Sequence, residues 1–318
     1  MTGAILRMGT RASALARAQS GDAAAKLTMA TGVPVETVLV RTEGDQLSTE
    51  GRAPSGGDTV GVFTRALDDA LRGGTIDFAV HSLKDLPTET GEDLVLAAVP
   101  LRADSRDALV VASRHRQSGV DSILSLPHGA VVATSSPRRV AQLLNVRPDL
   151  KTVSLAGNVD TRLRKLEEGV ADGLLLACAG LDRLGLSDRI ARRLEPDEFL
   201  SAPGQGALAM VCLGLDERTR DLLATQDHLP SRASAAAERS LLNALRGGCR
   251  APVGARVEVV EGRLRLRGSV LSPDGKERLD AWGEAPVGEA EALGKALAEE
   301  LLAKGAGRLV AAARDWER

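Results

Sequence analysis

Apolar positions recur along the chain in short blocks separated by longer amphipathic stretches, a rhythm that predicts alternating strands and helices. Ile5–Gly9 and the β-branched run Val35–Val40 read as strands flanking a helix from about Ala14 to Thr31, closed by Gly32. A helix near Phe63–Arg72 stops at Gly73-Gly74, and Ile76–Val80 is the next strand. The polar stretch Glu43–Val60, with four glycines, is too long for a simple connection and reads as a candidate mobile loop. A second alternating block follows Pro100. Its strands are Ala130–Ala133, Lys151–Leu155 and Gly173–Ala177, and its helices are one starting at Arg138–Leu144 and another at Val159–Glu168.

The fold class expected is α/β, with two doubly wound parallel sheets followed by a C-terminal α+β domain. Pro100–Asp104 and Leu200–Gly204 read as the two crossings between the blocks, so residues 1–100 with 201–215 form a first domain and 101–200 a second. That layout predicts a clam-shell with a cleft. From Asp216 the pattern changes. Helices around Asp216–Ala224 and Arg232–Ala244 lead to strands Ala255–Val260, Arg263–Leu271 and Glu277–Glu284 and a long helix Glu289–Leu302, so 216–318 reads as a third domain.

Composition excludes several classes of function. Forty-three acidic residues against 41 basic ones give a net charge of −2, which argues against coating nucleic acid. Aromatic residues are 2% of the chain with no tyrosine, leaving little material for base stacking. The longest apolar stretch, Gly173–Leu181, is less than half the ~20 residues that cross a bilayer, so no membrane partner is expected. The opening MTGAILRMGTR has no apolar run of signal-peptide length. Three cysteines without CxxC spacing argue against a disulfide scaffold or a metal site, and a cytoplasmic location is expected. Of the basic residues 34 are Arg and 7 Lys. Codon bias explains such an excess; recognition of planar carboxylates or phosphates is the functional alternative.

Position separates these readings. Thr10–Ala16 (TRASALA) places Arg11 and Ser13 between a strand and a helix amino-terminus, where an open α/β sheet binds anions. The plainer reading is a Ser13 cap beside a solvated Arg11. Thr134–Arg139 (TSSPRR) repeats the arrangement with Ser136, Arg138 and Arg139, and Asn158–Leu166 adds Arg162 and Arg164 at a further helix start. His81–Pro87 (HSLKDLP) sets Lys84 and Asp85 side by side at a strand's carboxyl edge. Asp85 there either accepts a proton or stabilises a developing cation, or it braces a turn before Pro87. His81 alone reads as a structural hydrogen-bonding residue. Cys178, in an apolar strand, and Cys212 read as buried and inert. Cys249 differs: in RGGCRAP, Arg246 and Arg250 flank it and glycines leave it uncovered, which favours a thiolate nucleophile or a modified cysteine.

These segments, in this order, resemble the porphobilinogen deaminase (hydroxymethylbilane synthase) family. The resemblance also rests on VRTEGD at Val40–Asp45, RADSRDALV at Arg102–Val110, AGLDRLGL at Ala179–Leu186 and PGQGAL at Pro203–Leu208. It implies two domains like those of type II periplasmic binding proteins and a third α+β domain bearing a cysteine. A dipyrromethane cofactor is expected on that cysteine through a thioether, which matches Cys249. Four porphobilinogen molecules are condensed onto it head to tail with loss of ammonia, and hydrolysis releases hydroxymethylbilane. No metal is implied, and a monomer is expected. By the same resemblance Asp85 is the catalytic carboxylate, beside the pyrrole nitrogen that turns cationic when ammonia leaves. Arg11, Arg138, Arg139, Arg162 and Arg183 bind the acetate and propionate groups. Ser13, Lys84, Ser136 and Gln205 add polar contacts, and Phe63 lies near the reacting rings.

Two departures stand out. The family has arginine directly before GNV, where this chain has Ala156, and Arg164 is a candidate to compensate. The loop that carries lysines in the family reads APSGGDTVG from Ala53 to Gly61. Two alternatives to the active enzyme follow: a non-enzymatic anion-binding clam-shell protein, and a relative unable to assemble its cofactor because of Ala156.

Overall fold

The computed structural model describes residues 5–42, 64–88, 91, 93–247 and 251–315. Its strands are β1 (Leu6–Thr10), β2 (Val35–Leu39), β3 (Phe78–Ser82), β4 (Leu94–Ala98), β5 (Asp107–Val111), β6 (Val131–Ala133), β7 (Lys151–Val153), β8 (Gly173–Ala177), β9 (Arg192–Arg193), β10 (Leu208–Leu213), β11 (Val253–Val260), β12 (Arg263–Leu271) and β13 (Arg278–Pro286). The helices are α1 (Ala14–Thr31), α2 (Arg65–Arg72), α3 (Ser113–Gln117), α4 (Pro137–Val146), α5 (Val159–Glu167), α6 (Cys178–Arg183), α7 (Glu217–Ala224), α8 (Leu229–Ala244), α9 (Ala290–Ala303) and α10 (Ala306–Asp315). Among the described residues no helix is long and apolar enough to cross a membrane.

The chain divides into two compact units. The first comprises residues 1–103 and 206–232. Its five-stranded sheet runs β2-β1-β3-β10-β4, with β1 parallel to β2 and β3. β10 is antiparallel to both of its neighbours, so the sheet is mixed, not parallel throughout as the alternation predicts. α1 ends as its sequence predicts, with Gly32 in the left-handed region at φ 70° and its N–H donated to Thr28 O. One face of the sheet buries Leu6, Met8, Phe78 and Met210 against Ala23 and Leu27 of α1. Leu223 of α7 lies in the same core, so this helix belongs to the first unit and not to a domain beginning at residue 216.

The second unit comprises residues 104–205 and 233–318. Its first sheet runs β7-β6-β8-β5-β9, with β6 parallel to β7 and β8, and β5 antiparallel to β8 and β9. Alternate residues of β5 serve opposite faces. Ala108 and Val110 join one core with Leu163, Leu166 and Leu174, whereas Leu109 and Val111 join another with Leu143, Leu175 and Phe199. A sheet buried on both faces is the doubly wound arrangement expected. Cys178 corrects the reading that put it in a strand: it opens α6 directly after β8, and burial pushes its thiol up to about 12.

The C-terminal layer is an antiparallel meander, β11-β12-β13, and α8, α9 and α10 share its core. β12 alternates exposed Arg263, Arg265 and Arg267 with buried Leu264 and Leu266, a period-two strand with one face in the core. This layer is bonded to the rest of the second unit at several points, three of them at its centre and its β12–β13 turn. Glu238 of α8, fully buried, accepts from Gly204 N–H at 2.8 Å and Val257 N–H at 3.0 Å. Ser201 Oγ donates to Ala255 O at 2.9 Å. The β12–β13 turn meets α4, where Asn145 Nδ2 donates to Gly275 O at 2.8 Å.

Candidate functional site

In the first unit the candidate residues sit at carboxyl ends of strands. Ser13 caps α1, its Oγ accepting from Ala16 N–H at 3.2 Å, so the plainer reading of that residue holds as well. Arg11, between β1 and α1, is partly exposed. β3 ends at Ser82 and passes into a single 3-10 turn, Leu83–Asp85, whose buried Leu83 pins the turn to the core. That anchoring leaves Asp85 exposed, and its carboxylate has no hydrogen-bond or ion-pair partner among the described residues. Lys84 beside it is half-buried. His81 is buried within β3. Burial, with the Arg11 charge adding to it, lowers its pKa to about 4, so the ring is neutral at physiological pH.

In the second unit the first turns of two helices, α4 and α5, carry Arg138, Arg139 and Arg162, and a serine ties the segments leading into them together. Ser135 Oγ donates to Leu155 O at 2.9 Å and accepts from Leu155 N–H at 3.2 Å and from Ser154 Oγ at 3.1 Å. The segments leading into α4 and α5 are thereby held beside each other. Ser136 precedes α4 with Pro137 at its first position, and its side chain makes no capping bond.

Arg138 and Arg139 are buried, and both are ion-paired inside the protein. Asp107, fully buried at the head of β5, accepts from Arg138 Nη1 at 2.7 Å and from Arg139 Nε and Nη2 at 2.8 and 2.6 Å. Burial alone would raise the Asp107 pKa; the two guanidiniums and their hydrogen bonds hold it well below the usual carboxylate range. Arg139 also donates Nη1 to Leu175 O at 2.9 Å, which turns all three of its nitrogens inward. Gln205 is likewise an internal residue: its Nε2 donates to Ser105 O at 2.8 Å and Asp107 Oδ1 at 3.0 Å. In the structure both Arg139 and Gln205 direct these donors to the protein's own acceptors.

Arg162 is the contrasting case. It lies on α5 and donates Nε to Gly157 O at 2.7 Å, yet no carboxylate pairs with it among the described residues. Burial, followed by repulsion from Arg139, lowers its pKa from the ordinary guanidinium range to about 10. A half-buried cation without a counterion is matched by an anionic ligand. Arg164 does not stand in for the arginine absent at 156: it points to solvent and pairs with Glu168 one turn along α5. Two residues apart on a helix, Arg162 and Arg164 face nearly opposite ways. Arg183 ends α6, partly exposed. Cys249, Phe63 and the loop from Ala53 to Gly61 lie outside the described residues. Asp107 is the functional candidate that the sequence reading missed. Its signal was a charge heading an otherwise apolar strand, DALVV.

Comparison with known proteins bears on both units. A family model described as "Porphobilinogen deaminase, dipyromethane cofactor binding domain" matches residues 6–221, and "Porphobilinogen deaminase, C-terminal domain" matches 233–303. A porphobilinogen deaminase of Thermobifida fusca is 47% identical over 96% of this chain and 95% of its own length. One of Syntrophotalea carbinolica is 44% identical over 98% and 97%. Among solved structures, a periplasmic substrate-binding protein of an ABC transporter from Coxiella burnetii aligns at TM-score 0.44 and 18% identity, covering 74% of this chain and 96% of that one. The methionine-binding protein MetQ aligns at TM-score 0.42 and 14% identity, covering 74% and 94%. The non-enzymatic clam-shell alternative gains no support, since the C-terminal family model matches and the enzyme relatives align over nearly the whole chain. The matched domains together cover most of the sequence, and the chain belongs to the porphobilinogen deaminase family.

Proposed function

We propose that this chain is a transferase that condenses porphobilinogen units into hydroxymethylbilane, with Asp85 as its catalytic carboxylate and Cys249 as the thioether anchor of its primer. The observation that supports the site assignment is the uncompensated guanidinium of Arg162, in the same unit as buried Arg138 and Arg139. A dipyrromethane group with its acetate and propionate side chains has the charge that this arginine lacks. When bound, that group supplies the free pyrrole carbon to which the first substrate ring is joined.

The protein's own residues do the rest. Loss of ammonia from porphobilinogen leaves positive charge on the pyrrole nitrogen. Asp85, an exposed carboxylate with no cation to occupy it, is suited to stabilise that charge. Deprotonation of the newly joined ring restores its aromaticity, and each turn of the cycle releases one ammonia. Water, adding at the end, frees the linear product. Arg162, Arg138 by the nitrogens left without partners, and Arg11 and Arg183 by resemblance, hold the accumulating carboxylates through charge-assisted bonds. The protein works as a cytoplasmic monomer in this reading.

Intact mass spectrometry of the purified protein, with peptide mapping around Cys249, tests the proposal. The expected result is a mass increment of two linked pyrroles on Cys249 and a ladder of further units after porphobilinogen is added. An unmodified Cys249 that stays unmodified with porphobilinogen or preformed hydroxymethylbilane overturns it, and Ala156 is then the first residue to restore to arginine.

A further inference from the structure

Asp107 is a fully buried carboxylate whose hydrogen bonds all come from side chains of the candidate binding region. Its two oxygens divide the work. Oδ1 takes Arg139 Nε and Nη2 and Gln205 Nε2, while Oδ2 takes Arg138 Nη1. The same Arg138 Nη1 also donates to Leu200 O at 2.6 Å, and the guanidinium carbon lies 5.9 Å from the centre of the Phe199 ring. Arg138 is thus fixed from three sides, but it is not saturated. Its Nε is buried without a partner, and its Nη2 makes no hydrogen bond among the described residues. Arg139, by contrast, is fully engaged.

We infer that Asp107 is a positioning residue for carboxylate binding: it locks Arg139 inward as a brace and aims the open edge of Arg138 at the ligand. Gln205 extends the brace to the backbone at Ser105, beside the point where the chain passes between units. The inference rests on the proposed function, and it assigns different work to two arginines that stand side by side in the sequence. Electrostatics makes it testable by sign. If Asp107 only diluted the local positive charge, its removal would tighten binding of an anionic substrate. If it aims Arg138, removal weakens binding despite the added positive charge.

The test compares wild type, Asp107→Asn, and the double variant Asp107→Asn/Arg139→Gln, in which one arginine charge fewer is left unpaired in the core than in the single variant. Thermal melting establishes that each is folded. KM and kcat for porphobilinogen are measured with the fraction of Cys249 carrying cofactor. The expected result is a KM raised about tenfold in both variants, the order of one lost charge-assisted contact, with kcat per loaded enzyme changing less. A KM unchanged or lowered in a folded Asp107→Asn protein overturns the inference, as does a double variant whose KM returns to the wild-type value. Hydrogen exchange at the Arg138 Nε–H, by nitrogen NMR, keeps the two proposals apart. If wild type neither loads nor turns over, the proposed function fails by itself. Asp107 is then judged by that exchange alone, fast in Asp107→Asn if it positions Arg138 and unchanged if it does not.

Discussion

Replacing Arg162 with methionine should stabilise the unloaded protein while impairing it as an enzyme. The guanidinium sits half-buried with no carboxylate partner among the described residues, and burial lowers its pKa to about 10, which sets the scale of what the folded state pays to keep it charged. At about 1.4 kcal/mol for each tenfold change in proton affinity, the cost is at most about 3 kcal/mol, less after screening by the solvent that reaches its tip. Methionine forfeits the bond from Nε to Gly157 O, about 1 kcal/mol. A net gain of about 1–2 kcal/mol remains, or an increase in Tm of a few degrees. The pH dependence follows from the direction of the shift. Because the folded protein holds this proton less tightly, wild-type stability rises with pH above about 10 until the unfolded chain has also lost the proton, and the variant loses that rise. Chemical denaturation of cofactor-free protein, made in cells unable to produce porphobilinogen, is the assay, with porphobilinogen kinetics measured alongside. In loaded protein, bound carboxylates offset the desolvation, so the gain should shrink or reverse. A variant less stable than wild type in the cofactor-free state, or one with unaltered KM, refutes the reasoning that Arg162 awaits an anion.

Other residues give sharp outcomes. Asp85→Ala should abolish turnover and leave the melting curve unchanged, because the side chain is exposed and unpaired; activity near wild type would remove Asp85 from the mechanism. Ala156→Arg, one residue before the carbonyl that holds Arg162, should increase cofactor loading or chain elongation in the mass ladder; identical ladders would mean the position is not used. His81, with its pKa lowered to about 4, should cost stability as pH falls from about 6.5 toward 4, by up to about 3 kcal/mol. His81→Gln should flatten that part of the acid limb in denaturation curves. Gly275→Val should destabilise by roughly 3 kcal/mol or more: Gly275 has φ 72°, and a Cβ there would come within 2.6 Å of Ala141 O and Asn145 N on α4. A melt unchanged from wild type would show that the turn can leave the helix at no cost.

The strand–helix alternation was legible because each element carries its own periodicity and punctuation. α1 begins at a capping serine and ends at a left-handed glycine, and both are local facts that any reading of the chain can find. Strand direction was not legible. The apolar run of β10 says that it is buried, but nothing in LAMVCL says that it lies antiparallel between β3 and β4. The placement of α7 was also hidden, since the chain re-enters the first unit before leaving it, and only the burial of Leu223 with Leu6 and Met8 reveals where that helix belongs.

The arginine excess shows how far composition can lead and where it stops. Most of what these side chains do is internal. Arg106 braces Asp104 and Glu195, Arg193 bridges Asp104 and Asp182, Arg147 holds Asp149 and three carbonyls of the loop at 123–126, and Arg232 joins Asp227 to β4. A guanidinium with five donors is well suited to such bracing, so a high arginine count alone does not point to an anionic substrate. The discriminating property is the balance of each arginine against nearby carboxylates. Asp107 balances Arg138 and Arg139 with one charge for two, and Arg162 is balanced by none among the described residues. Three cations on α4 and α5 and a single carboxylate at the head of β5 leave an excess of two positive charges, and a ring bearing one acetate and one propionate supplies two negative ones.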